Sequence, residues 1–207
     1  MMTKTVHVAV YDALADWEVG YAIGHINSSF GQHAPGRYEV RTVGPSLAPV
    51  TTLGGMRVLP DVALADLTPA DSAMLILPGA STWDNGDNVA FGRLARAFLA
   101  AGVPVAAICG ATAGLAMEGL LDDRDHTSGA VEYLMPTGYA GAARYRDTAV
   151  VTDGDLITAG PTAPVEFAHA VLARLGIYTP DALAAWYRLF GAQDAGAFFE
   201  LAAVVPQ

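Results

Sequence analysis

A chain of 207 residues with 53% hydrophobic content is the size of one compact domain with a sizeable core. Its 21 acidic residues outweigh 11 basic ones, for a formal charge of −10, and without a Lys/Arg cluster to neutralise phosphates the chain is not expected to bind nucleic acid. Apolar runs such as Ala73 to Leu77 end at Pro or Gly far short of the ~20 residues a bilayer requires, which argues against a membrane span.

Taken in order, Thr5 to Tyr11 reads as a first strand and Trp17 to about Phe30 as a helix, a βα opening. Tyr38 to Val43 alternates polar and apolar as a second strand, and Met56 to Asp61 reads as part of a short hairpin after the turn Gly54-Gly55. Both are expected toward one edge of a sheet. Ala73 to Leu77 is a fully apolar strand closed by Pro78-Gly79, followed by a loop and a helix from about Asn88 to Ala101. A second apolar strand ends at Cys109 and runs into a small-residue helix from Ala111. After Leu121 come a polar stretch, a short helix near Val131 to Met135, a β-pair at 149–151 and 156–159, and a helix from Pro164 to Leu175. This order predicts a three-layer α/β/α sandwich with a mostly parallel central sheet, flavodoxin-like in its layering. Residues 1–207 are expected to form one domain, with 177–207 as a C-terminal helical appendage whose two amphipathic segments are separated by Gly191.

Cys109 is the single cysteine, so no internal disulfide can form, and Met1-Met2-Thr3-Lys4 leads directly into a strand, so the expected location is cytoplasmic. An apolar strand turning sharply into a helix lifts the residue between them toward solvent, as in a nucleophile elbow. Gly110 is expected to permit the turn, and the first free amides of the helix would favour thiolate over thiol. The alternative for a lone cysteine is a small buried hydrophobe.

The order of four motifs resembles the ThiJ/PfpI superfamily, related in fold to class I glutamine amidotransferases, over roughly residues 5–176. The matching pieces are Asp16-Trp17-Glu18 after the first strand, Ile76-Leu77-Pro78-Gly79-Ala80, the elbow Ala107-Ile108-Cys109-Gly110-Ala111, and Leu156 to Gly160 before Glu166-Phe167-Ala168. The resemblance implies that Cys109 is paired with Glu18 and that backbone amides at Gly79, Ala80 and Gly110 form an oxyanion site. A carboxyl held against sulfur in a partly dry pocket has its ionised form disfavoured, so Glu18 would be a proton donor or acceptor. Glu18 and Asp16 also fit a plain helix start, where acids complement the dipole, and Asp16 fits an N-cap. Trp83 and Asp84 are candidates for the pocket mouth, the alternative for Trp83 being a simple packing anchor.

Hydrolase-like members carry a histidine directly after the cysteine, where this chain has Gly110, so peptide hydrolysis is not expected. His126 is the remaining candidate partner, although Gly129 occupies the aligned position; Asp122, Asp123 or Asp125 would then be third members of a Cys-His-carboxylate arrangement. The other histidines show no metal-ligand spacing, and Gly54-Gly55 lacks that of phosphate-binding loops, so neither metal nor cofactor is expected. The resulting expectation is a cysteine-dependent enzyme acting on a small carbonyl, amide or isonitrile-like metabolite. Its rival is an oxidative-stress sensor working through oxidation of Cys109. The resemblance further implies a homodimer.

Overall fold

The computed structural model describes residues 3–205. Seven strands, β1 (Lys4–Ala9), β2 (Tyr38–Gly44), β5 (Val62–Ala63), β6 (Met74–Leu77), β7 (Val105–Ile108), β8 (Val150–Asp153) and β9 (Leu156–Ala159), form one sheet in the order β5-β2-β1-β6-β7-β9-β8. All neighbours are parallel except β8, which pairs antiparallel with β9 at the edge. Helices cover both faces, which explains why β6 and β7 read as unbroken apolar runs: every residue of each is buried.

Alternation along β6 sends Met74 and Ile76 to one layer and Leu75 and Leu77 to the other. The first layer holds α1 (Asp16–Asn27) and α5 (Pro164–Leu175), packed through Val19, Ile26, Phe167 and Val171. The second holds α2 (Val89–Ala100) and α3 (Ala111–Met117), packed through Phe91, Phe98 and Leu115. Helices α6 (Pro180–Phe190) and α7 (Ala197–Ala202) add Trp186, Ala197 and Leu201 to the first layer, while Phe199 stays 74% exposed. Among the described residues no helix is long and apolar enough to cross a membrane.

The hairpin differs in detail from the sequence expectation. Strand β3 (Val50–Thr51) pairs antiparallel with β4 (Arg57–Val58), and the chain then leaves the hairpin at Pro60 to give β5 to the edge of the main sheet. Pro60 has no N–H to donate, so it cannot extend the ladder. Parallel strands bring the C-terminal ends of β1, β6 and β7 to one rim, where ligands bind in open α/β sheets. Residues 10–18, 78–84 and 109–111 all emerge there.

Candidate active site

Strand β7 delivers Cys109 to this rim. Its N–H donates to the Ala159 carbonyl at 3.0 Å, continuing the ladder one residue beyond the strand, and the chain then turns at a Cys109 φ of 57°. A non-glycine residue in this left-handed region costs about 1 kcal/mol or more and persists where its surroundings hold it. Here Thr112 donates its N–H (3.1 Å) and its Oγ1 hydroxyl (2.6 Å) to the Cys109 carbonyl. The strained residue is thus the cysteine itself, whereas Gly110 has an ordinary helical φ of −55°. Gly110 matters for space instead, since a Cβ there would stand 3.0 Å from the Ala80 carbonyl oxygen. Cys109 remains partly exposed.

Glu18, in the first turn of α1, is fully buried, and its Oε2 accepts the Gly79 N–H at 2.6 Å. A Cβ on Gly79 would lie 2.7 Å from Cys109 Cβ, 2.8 Å from Glu18 Oε2 and 2.9 Å from Cys109 Sγ. Three backbone segments therefore converge on one point that only glycine leaves open. Burial raises the Glu18 carboxyl above its ordinary value, against the hydrogen bonds from Gly79 and Cys109. Among the described residues its Oε1 is buried without a hydrogen-bond partner, which penalises the charged form further.

Burial also pushes the Cys109 thiol up to about 12, with the charge and hydrogen bond of Glu18 acting the same way and the Gly110 N–H opposing them. This reverses the depressed thiol expected from the helix start: α3 is seven residues long, and one amide does not outweigh desolvation. Sulfur and carboxyl form a coupled pair that resists carrying two negative charges and keeps a proton between them.

The three amides expected to form an oxyanion site have different duties, that of Gly110 being its hydrogen bond to the Cys109 sulfur. Gly79 N–H is taken by Glu18. Ala80 N–H makes no hydrogen bond among the described residues, and it faces Gly110 closely enough that a Cβ on Gly110 would sit 3.4 Å from it. Trp83 is not at the pocket mouth. Its indole is 1% exposed, donates Nε1–H to Tyr11 Oη (3.0 Å) and the Pro78 carbonyl (3.2 Å), and fills the space left by Gly114 beneath the elbow. Asp84, next in sequence, is exposed and accepts a hydrogen bond from Tyr133 Oη at 2.6 Å.

His126 has other partners than Cys109. Its Nδ1 bonds to the Arg124 carbonyl at 2.8 Å, and its ring packs edge-on against Tyr139 and Tyr145. The ring is fully buried, which lowers its pKa, and among the described residues no hydrogen bond joins it to Cys109. The acids around it are engaged as well: Asp125 pairs with Arg146 (2.9 Å), Asp123 with Arg124 (3.3 Å), and Asp122 accepts the Ala140 N–H (2.8 Å). Asp16 accepts the Gly54 N–H at 2.6 Å and tethers the β3–β4 hairpin.

With this geometry the comparison to known proteins is decisive: the DJ-1/PfpI family model matches residues 4–174. The chain belongs to the DJ-1/PfpI family. It is 40% identical over 205 residues to the protein named "Uncharacterized protease YoaZ" of Bacillus subtilis (strain 168), covering 97% of each. It is 28% identical to the glutathione-independent glyoxalase DJR-1.2 of Caenorhabditis elegans, covering 68% of this chain and 75% of that one. A thiJ/pfpI family protein from Bacillus anthracis has a structure with TM-score 0.92 and 38% identity, covering 100% of this chain and 99% of the other.

Against this DJ-1/PfpI background, Tyr133 and Tyr11 are the residues that motif reading passed over. Tyr133 lies on α4 (Val131–Leu134), and burial followed by the Asp84 hydrogen bond raises its hydroxyl pKa. Tyr11 hydrogen-bonds to the Pro78 carbonyl and receives the Trp83 indole. Neither stands in a motif, so only tertiary contact reveals them.

Proposed function

We propose that the chain is a cysteine-dependent enzyme that acts on a small carbonyl compound, with Cys109 as nucleophile and Glu18 as the proton carrier. The observation behind this reading is the convergence of Cys109 Sγ and Glu18 Oε2 on Gly79. Sulfur adds to the carbonyl carbon as the C=O π pair moves to oxygen; the S–H proton passes to the Glu18 carboxylate and then to the new alkoxide. The adduct is an enzyme-bound hemithioacetal. With a 2-oxoaldehyde, Glu18 then moves the C1 proton to C2 through an enediol to give a 2-hydroxyacyl thioester. Water hydrolyses the C–S bond to release the 2-hydroxy acid and restore the thiol, a sequence that balances without an external oxidant. A carboxylate whose pKa is raised is a stronger base than an ordinary one, which suits this transfer. In this reading the Ala80 N–H, which makes no hydrogen bond among the described residues, donates to the developing oxyanion, with the Gly110 N–H beside the sulfur as the second donor.

The relative named as a glyoxalase supports a carbonyl substrate. The relative named as a protease does not carry peptide hydrolysis to this chain, because Gly110 stands where a Cys-His pair would need its histidine. A sensor reading gains from the partial exposure of Cys109. The raised thiol bears on both readings alike, since peroxide and carbonyl carbon each react with thiolate; the neighbouring Glu18 carboxyl, able to take the proton, favours the enzymatic one. The proposal includes a homodimer in the cytoplasm, and a solution mass near 21.5 kDa would remove the dimer from it.

The test is incubation with a 2-oxoaldehyde, following substrate loss and the intact mass of the protein. Consumption that stops in Cys109→Ala supports the proposal. Consumption unchanged in that variant, or absent in the parent chain, overturns it.

A further inference from the structure

Asp84 and Tyr133 come from two different elements on the side of the elbow where Trp83, the residue before Asp84, would stand 3.5 Å from a Cβ on Gly110. Asp84 follows Trp83, whose indole lies beneath the elbow and is pinned by Tyr11 and the Pro78 carbonyl, so the carboxylate rides on a rigid turn. Tyr133, from the opposite side on α4, fixes that carboxylate with a 2.6 Å hydrogen bond. The backbone four residues before Asp84 faces Gly110 directly, at the Ala80 carbonyl.

Cation and anion are unequally provided here. The charged side chains that act on the sulfur are Glu18 and then Asp84, and both are carboxylates. No arginine or lysine is among the groups that act on the sulfur, and Arg96 is paired with Glu118, Arg124 with Asp123, and Arg144 and Arg146 with Asp125. Asp84 is exposed, so an incoming carboxylate or phosphate would meet its fixed negative charge through solvent, where Coulomb repulsion is felt at low salt and screened at high salt.

We infer that Asp84, positioned by Tyr133, sets the charge selectivity of the Cys109 pocket, so that small uncharged or cationic electrophiles enter and anionic ones are turned away. The inference rests on Cys109 being the reacting group of the proposed function. Asp84 is a specificity residue; it takes no part in bond making.

Alkylation reads this without turnover, so its result stands or falls separately from the carbonyl chemistry. Rate constants for Cys109 with iodoacetamide and with iodoacetate, each divided by that of a free thiol, give a selectivity ratio. The parent chain is expected to favour the neutral reagent by about tenfold or more at low salt, and to lose most of that preference at high salt. Asp84→Asn is expected to lower the ratio at least about threefold, and Tyr133→Phe, which frees the carboxylate to turn toward water, to lower it partway. Asp155→Asn, at the opposite end of the sheet, keeps the parent ratio. A parent ratio near one, a salt-independent ratio, or the parent ratio retained in Asp84→Asn overturns the inference. Asp84→Ser gives a second uncharged variant should Asp84→Asn fold poorly, since the salt series alone does not separate Asp84 from Glu18.

Discussion

Gly79 donates its N–H to Glu18 Oε2 at 2.6 Å while standing so close to Cys109 that a side chain of its own would collide with both. One residue thereby orients the carboxyl and leaves room for the sulfur beside it. Gly79→Ala is expected to destabilise the protein by about 1–3 kcal/mol through overpacking and to separate the pair. Thermal unfolding would register a clear drop in Tm, and carbonyl turnover would fall with it. An unchanged Tm together with full turnover would mean the crowding at this point is not real.

Trp83 supports the elbow from below. Trp83→Phe removes the donor to Tyr11 and the Pro78 carbonyl while keeping most of the apolar bulk, and is expected to cost about 1–3 kcal/mol. Trp83→Ala also opens a cavity next to Gly114 and is expected to cost about 3–5 kcal/mol. Denaturant titration gives both values; equal losses would indicate that the hydrogen bonds, with no contribution from packing, account for the indole.

Much of this architecture is visible in the sequence because its signals are local. The fully apolar runs at β6 and β7 mark the centre of the sheet, and Cys109 between a strand and small residues marks the elbow. Glu18 is legible only through the family resemblance, since by itself an acid in the first turn of a helix reads as a plain helix start. What escapes is whatever depends on burial or on contact between distant segments. The thiol pKa is set by desolvation and by Glu18, and the helix start that suggested a low value contributes a single amide. Trp83 in an apparent loop gives no sign that Gly114 has cleared a slot for it. His126 stands near the expected motif in sequence, yet its bridge to Tyr145 and its bond to the Arg124 carbonyl tie it to a separate cluster.

Buried histidines make stability depend on acidity. Burial lowers the pKa of His126 below the ordinary 6.5, so below that value the unfolded chain binds a proton that the folded one refuses. The contribution is absent above pH 6.5, where both states are neutral, and stability falls as pH drops below it toward the folded value. His7, His25 and His169 are shifted the same way by burial. Unfolding free energies measured from pH 8 to pH 5 should decline below the midpoint of free histidine, and the slope should be shallower in His126→Phe. An identical slope in that variant would show that His126 does not titrate as buried.

The pairing of Cys109 with Glu18 is tested most directly by comparing Glu18→Gln with the parent chain in two assays on one sample: alkylation of Cys109 by iodoacetamide, and turnover of a 2-oxoaldehyde. Glutamine keeps the shape of the side chain and cannot carry the proton. Alkylation that continues while kcat/KM falls by about 100-fold or more is the predicted result, because the nucleophile survives without its proton carrier. Turnover at the parent rate in Glu18→Gln would contradict the account.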